Sequence, residues 1–283
     1  MTREPASTVP AGKRNETASA ESPTARRLPP PLKWAGGKRW QLPHLAPLWA
    51  PHAQRRLVEP FCGGLAVALG LAPERALLND INPHLVSFYG WLRRGLTITI
   101  PLENNDELFY QHRTRFNALL SAGKEKTEEA AGLFYYLNRT GYNGLCRFNR
   151  SGEFNVPFGT YKTITYARAF SSYRATFADW DFSLGDFEAI LLERSDFVYA
   201  DPPYDVDFRQ YSQGGFPWED QVRTAEWLAR HRGPVILVNQ ATKRIVDLYT
   251  ALGYALEVVN APRRISCTGD RTPAREVIAT RNL

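Results

Sequence analysis

Two blocks of the chain share one pattern, in which short, wholly apolar runs alternate with longer mixed segments. In the first block, "RLVEPFCGGLAVALGL" (56–71) predicts a strand, a glycine turn and an apolar helix. "RALLNDIN" (75–82) then predicts a second strand that ends at Asp80. In the second block, "SDFVYADPPY" (195–204) predicts a strand that stops abruptly, because proline cannot extend a ladder. "WEDQVRTAEWLARHRG" (218–233) has helical spacing and "PVILVN" (234–239) is a buried strand. "TKRIVDLYTALG" (242–253) is a helix stopped by Gly253, and "YALEVV" (254–259) and "REVIAT" (275–280) are the last two strands. Strand, crossover helix and strand repeated in this way predict an α/β protein, with a parallel, Rossmann-like sheet and helices on both faces.

The segment between the blocks differs. "NDELFYQHRTRFNALLSAGK" (105–124) and "TEEAAGLFYYLNRTGYNGL" (127–145) predict helices, the second capped by Thr127 with two acids in its first turn. "NGLCRFNRSGEFNVPFGTYK" (143–162), rich in Gly, Asn and aromatics, predicts loops or a hairpin. Between Glu129 and Asp179 the basic residues Arg139, Arg147, Arg150, Lys162, Arg168 and Arg174 face one acid, Glu153. A charged segment is most often only a solvated loop. Here the arginines alternate with Tyr142, Phe148, Phe154, Phe158 and Tyr161, the mixture that phosphates and base faces require. The expected organisation is a tail over 1–29, a catalytic domain over 30–82 and 168–283, and a mostly helical recognition insertion over 83–167.

Composition narrows the class. The 283 residues are 43% hydrophobic and 23% charged, ordinary globular values. No run nears the length of a membrane span, and the first 30 residues contain no apolar core of a secretory signal. Those residues are polar and rich in Pro, Ala, Ser and Thr, which predicts disorder. Glu4, Glu16 and Glu21 count against a transit peptide, and a cytoplasmic protein is expected. Cys62, Cys146 and Cys267 are scattered, as packed, reduced thiols are, and the five histidines form no metal-ligand spacing, so no metal is expected. The net charge of +6 and pI of about 9.3 say little beyond where the charge sits.

The chemistry concentrates at strand ends. Gly63 and Gly64 allow a ligand close to the backbone, and Asp80, ending the next strand, is placed to accept from ribose hydroxyls. Two glycines alone would be only a tight turn. With Asp80, and with no phosphate-binding Lys-Ser/Thr loop, they point to an adenosine-containing ligand. The "DPPY" stretch answers a specific chemical need. The exocyclic amine of adenine is a weak nucleophile because its lone pair is delocalised into the ring. Accepting hydrogen bonds from both its N–H groups localises that pair. Asp201 offers a carboxylate and Pro202 a backbone carbonyl, both held rigidly, while Tyr204 can stack on a base that has left the duplex.

These residues together make the chain resemble the Dam-type DNA adenine-N6 methyltransferases. The resemblance runs from Leu32 to the C-terminus through "KWAGGK" (33–38), "EPFCGG" (59–64), "NDIN" (79–82), "LNRTGYNGLCRFNRSGEFNVPFG" (137–159) and "DPPY" (201–204). It implies S-adenosylmethionine as cofactor, contacted by Trp34, Lys38, Glu59, Phe61, Gly63, Asp80, Asp186 and Asp201. It implies Asp201, Pro202 and Tyr204 as catalytic residues. It implies double-stranded DNA as partner, met by Tyr142, Asn143, Leu145, Arg147, Asn155, Pro157 and Lys162, with Arg147 reading a guanine edge and GATC as the leading target. An acid before a helix, as at Asp186, is equally often a cap. The chain departs from the family pattern at Leu65, where many members have glycine, at Thr160, where a basic residue is common, and across "DVDFRQYSQGGF" (205–216). A cytosine-N4 methyltransferase more often begins this motif with serine, and a DNA-binding homologue without turnover would not be expected to keep Lys38, Asp80 and Asp201.

Overall fold

The computed structural model describes residues 28–205, 216–262 and 274–283. Seven strands form one sheet: β1 (Leu57–Glu59), β2 (Ala76–Asp80), β3 (Trp180–Leu184), β4 (Phe197–Ala200), β5 (Val235–Gln240), β6 (Ala255–Ala261) and β7 (Ala274–Arg281). Their order is β3-β2-β1-β4-β5-β7-β6. The first five are parallel, and β7 runs antiparallel between β5 and β6. The five parallel strands form the Rossmann-like sheet that the alternating pattern predicted, and the antiparallel β7 extends it.

Strands buried on both faces read as continuous apolar runs, and β5 shows why. Val235 and Leu237 belong to one apolar cluster, whereas Ile236 and Val238 belong to the other. The second cluster packs beneath α7 (Trp218–Ala229) and α8 (Lys243–Ala251). The first holds α1 (Leu42–Trp49), α3 (Pro83–Arg94), α4 (Asp106–Ser121), α5 (Glu128–Thr140) and α6 (Ser171–Thr176), and it runs unbroken from the sheet into the insertion. No break in packing falls at residue 83, where the recognition insertion was expected to begin.

Helix starts follow their caps. Asn82, Asn105 and Thr127 each accept a backbone N–H of the first turn of α3, α4 and α5, and Gly95 closes α3 at a φ of 88°. One expected helix is much shorter than its sequence suggested. After the glycine turn only α2 (Ala68–Leu71) forms. Leu65 stands at a φ of 59°, which a helix cannot continue through, so its backbone bends back before the helix starts.

The tail expected over 1–29 lies outside the described residues up to residue 27. Leu28 and Pro29 are packed: Leu28 leans on the main core and the Pro29 carbonyl accepts from the Tyr173 hydroxyl at 2.6 Å. Residues 263–273 between the last two strands, with Cys267, lie outside the described residues, as do residues 206–215 after "DPPY".

Candidate active site

The chain order β1, β2, β3 runs outward to one edge and then returns to the other side of β1 with β4. The sheet therefore has its topological switch between β1 and β4, where a crevice opens at the carboxyl ends of the strands. Three sequence motifs end there on adjacent strands: Glu59 on β1, Asp80 on β2 and Asp201 after β4.

The loop after β1 is built by close approach. The Trp34 ring lies on it so tightly that a Cβ at Gly63 would sit 2.8 Å from the indole nitrogen, and one at Gly64 2.6 Å from the Trp34 Cβ. No other residue fits at either position. The Gly63 N–H donates to Asp80 Oδ2 at 3.0 Å, and its carbonyl accepts from the buried Tyr89 hydroxyl at 2.5 Å. Asp80 Oδ1 accepts from the Asn82 N–H at 2.9 Å. Burial raises the Asp80 carboxyl, and these backbone donors partly offset that. Trp34, Gly63 and Asp80 thus form one unit.

Lys38, on the turn before α1, is buried and reaches into the crevice. Its ammonium lies 3.3 Å from Asp201 Oδ1, donates to the Gly36 carbonyl at 3.1 Å and stands 4.2 Å over the Tyr204 ring. Burial raises the Asp201 carboxyl to about 6; Lys38 opposes the rise and Glu276 adds to it. The Asp201 side chain stays 21% exposed, so it is open to a ligand. Pro202 is buried, and the Pro203 carbonyl is pinned by the Gln221 carboxamide at 2.7 Å. Below it Asn239 accepts the Asp205 N–H at 3.1 Å. Asp205 itself is buried against Arg244, whose guanidinium lies 4.7 Å over Trp218. Pro203 and Asp205 are thus held by side chains from α7, β5 and α8.

Glu59 is fully buried, and its Oε1 is without a hydrogen-bond partner among the described residues. Burial, and then the Asp201 charge, push its carboxyl well above the usual range. An orphaned carboxylate oxygen is costly, and a donor from a ligand would satisfy it. Phe61 stands apart from the carboxylates in an aromatic group with Phe187 at 5.3 Å and Phe216 at 5.7 Å. Asp186 follows Gly185, whose N–H donates to the Asp80 carbonyl at 3.2 Å. Its carboxylate caps the turn at 187–189 and is gripped by Arg223 at 2.7 and 3.1 Å. Burial alone would raise it, but Arg223 and the Glu188 N–H hold it below the usual carboxylate value.

The insertion presents a second, exposed surface. Tyr142, Asn143, Arg147, Pro157 and Lys162 are exposed, Asn155 is half-buried and Leu145 leans on the core. The chain from Arg147 to Asn155 is a short hairpin, with Phe148 bridged to Phe154 and the turn closed by Asn149 and Glu153. Arg147 Nε donates to Asn155 Oδ1 at 2.8 Å, which braces the guanidinium while leaving it in solvent. The hairpin is tied to the crevice: Asn82, next to the Asp80 loop, donates to Cys146 Sγ at 3.3 Å. Burial pushes the Cys146 thiol up to about 12 and Cys62 well above its ordinary value, so both are packing thiols.

Several residues of this region have no motif to announce them. Asn138 holds the Lys33 backbone by both N–H and carbonyl and also donates to the Gly144 carbonyl, so one carboxamide joins the N-terminal loop to the start of the hairpin. Lys33 donates to the Arg139 carbonyl at 2.7 Å and lies 3.4 Å over Tyr161; burial, then Arg139, lowers its ammonium to about 8. Glu276 and Gln41 meet behind Tyr204.

The family model of the "D12 class N6 adenine-specific DNA methyltransferase" matches residues 34–265. The chain belongs to this family. It is 36% identical over 273 residues to a DNA adenine methylase of Vibrio cholerae, covering 88% of this chain and 94% of that one. It is 34% identical over 267 residues to the retron Ec67 DNA adenine methylase of Escherichia coli, covering 88% and 90%. It is 34% identical over 262 residues to the DNA N-6-adenine-methyltransferase of Escherichia phage P1, where it covers 87% of this chain but spans only 34% of the relative's length. Membership fits the crevice: a glycine loop, an acid beside it and a rigid acid–proline pair stand on neighbouring strands. Among the described residues no helix is long and apolar enough to cross a membrane, and no cluster of three or more His, Cys, Asp or Glu could hold a metal.

Proposed function

We propose that the chain methylates the N6 amine of an adenine swung out of duplex DNA, with S-adenosylmethionine as donor and GATC as the leading target. The observation that carries this reading is the juxtaposition of Asp201 with Lys38 at 3.3 Å, at the switch point and beside the Asp80–Gly63 loop.

The residues suit the donor. The orphaned Oε1 of Glu59 fits a cationic or N–H group, and the Gly63–Gly64 loop beneath Trp34 leaves room for close backbone approach. Asp80 has spent one lone pair of each oxygen on backbone donors, so further acceptor positions remain for ribose hydroxyls. Of the other expected contacts, Phe61 would offer only its ring, from the aromatic group, and Asp186 already binds Arg223 and the Glu188 N–H. When bound, S-adenosylmethionine supplies an electrophilic methyl group on a sulfonium centre.

The protein's task is then to prepare the amine. Asp201 accepts one N–H of adenine N6 and the Pro202 carbonyl the other, which localises the nitrogen lone pair. The acid must be ionised, and Lys38 holds it so. A carboxyl raised to about 6 is also a better proton acceptor than an ordinary aspartate, which suits it to take the proton that the amine loses after transfer. The Tyr204 ring, fixed against Lys38, serves as the stacking platform for the displaced base. On the second surface, Arg147 donates to a guanine edge, with Tyr142, Asn143, Leu145, Asn155 and Pro157 beside the target and Lys162 on phosphate.

Duplex DNA incubated with methyl-labelled S-adenosylmethionine and hydrolysed to nucleosides tests the reaction. The label is expected in N6-methyladenine; label in cytosine would contradict the assignment. Mapping the methylated positions tests GATC separately.

A further inference from the structure

Behind the crevice the last parallel-to-antiparallel junction of the sheet contributes a carboxylate that no motif names. Glu276, on β7, is buried; its Oε2 accepts from the Tyr204 hydroxyl at 2.7 Å and from the Gln41 carboxamide at 2.8 Å. Gln41, also fully buried, in turn accepts from the Tyr199 hydroxyl at 2.9 Å. Two donors converge on one oxygen, so the polarity of this network matches an ionised Glu276. Tyr204 is the element that connects it to the crevice, because its ring lies under the Lys38 ammonium, and that ammonium faces Asp201.

A carboxylate is a costly means of merely tying β7 to the loop after β4 and the turn before α1. A carboxamide or an apolar pair would hold β7 with less desolvation. The charge makes sense if the position of the phenol matters. A hydroxyl that donates to an anion is held more firmly than one that donates to a neutral group, and its ring keeps its plane.

We propose that Glu276 is a positioning residue for methyl transfer, which fixes the Tyr204 ring as the stacking platform and, through that ring, the Lys38 ammonium against Asp201. This rests on the roles proposed above for Asp201 and Tyr204. Its charge has a second effect. The charged and titratable groups that face Asp201 are Lys38, Glu59 from β1, Tyr199 from β4, Tyr204, Tyr249 from α8 and Glu276. Lys38 favours the ionised acid and Glu276 opposes it. Removing the Glu276 charge therefore lets Asp201 ionise at lower pH.

Single-turnover methyl transfer across the acid range is the test, on E276Q, E276A, Y204F and the double variant Y204F/E276A. E276Q keeps shape and an acceptor, so its acid limb should move to lower pH by about half a unit or more. E276A should slow transfer by about 10-fold at neutral pH, and by no more than about 2-fold when Tyr204 is already Phe, since both losses act through one ring. An acid limb that superimposes on that of the unmodified enzyme overturns the proposal, and so does an E276A loss undiminished by Y204F. Should E276A not fold, the E276Q limb decides alone. D201A run in parallel separates the two readings. Full activity in D201A would sink the catalytic role itself, whereas an inactive D201A with an unmoved E276Q limb sinks only the role of Glu276.

Discussion

The two surfaces proposed to act in this chain are built on opposite principles. At the sheet crevice, polar side chains are largely buried and spend their bonds on one another, Lys38 on Asp201 and Tyr204 on Glu276. Each contact limits the motion of the next, and the groups left over, Glu59 Oε1 and one side of Asp201, mark the space for ligands. On the hairpin the polar side chains are exposed, and only light braces such as Arg147–Asn155 order them. Chemistry at one nitrogen rewards a rigid, desolvated frame, whereas a DNA surface has to be met from solvent. Asn82 and Asn138 join the two surfaces, since each contacts the loop at the crevice and the hairpin or its base.

That contrast predicts large, specific losses from small changes in the crevice and graded losses on the hairpin. Gly64→Ala should be the severest of the supporting variants, because a methyl 2.6 Å from the Trp34 Cβ forces the loop to move. A displacement of that kind costs on the order of 100-fold. It should appear as weaker S-adenosylmethionine binding in calorimetry, with DNA retention little changed; an unaltered isotherm would break the comparison.

Arg147→Ala should cost about 1–3 kcal/mol of DNA affinity and relax discrimination at the guanine, as read by titration on duplexes with and without that base. Asn155→Ala removes the brace and the lesser DNA contact proposed for this residue, and should cost about 1 kcal/mol, with the guanidinium still present. Equal losses from the two variants would mean that Asn155 carries as much of the DNA contact as the guanidinium does.

Leu65 sharpens the comparison from the side of stability. Its left-handed backbone costs roughly 1–2 kcal/mol for a non-glycine residue, yet its fully buried side chain is worth roughly 2–5 kcal/mol. Leu65→Gly should therefore lower stability in urea melts by about 1–3 kcal/mol, the difference between those terms. A gain would show that strain outweighs packing there. The mildest effect is set by solvent alone. Transfer by the unmodified enzyme should fall as pH drops through about 6, where Asp201 takes up a proton. A rate that stays flat to pH ~4, the usual aspartate range, would mean that the acid is not raised.

The local parts of this design were legible in the sequence. Strands β1, β2, β4 and β5 are apolar runs with turn residues at their ends, α4, α5 and α8 carry period and caps, and α7 carries period alone. "DPPY" is visible because its acid, prolines and tyrosine are adjacent. What could not be read is long-range. Glu276 lies 72 residues from Tyr204 and 235 from Gln41, and nothing around "REVIAT" sets its glutamate apart from one facing solvent. Asn138 and Lys33, 105 residues apart, are equally silent. The shortness of α2 was hidden for another reason: the run 65–71 is apolar and helical in propensity, and only the backbone angle at Leu65 stops it. Asp186 was balanced between cap and ligand contact, and its carboxylate is occupied by both the cap and Arg223.

The central claim is that the Asp201 carboxylate activates the amine and is not needed to hold DNA. Comparing Asp201→Ala with the unmodified enzyme, for methyl-transfer rate and DNA dissociation constant on one duplex, tests it most directly. The account predicts a rate reduced by about 1,000-fold or more with the dissociation constant changed by less than about 3-fold. Transfer within about 10-fold of the unmodified rate, or DNA release in step with lost activity, would contradict it.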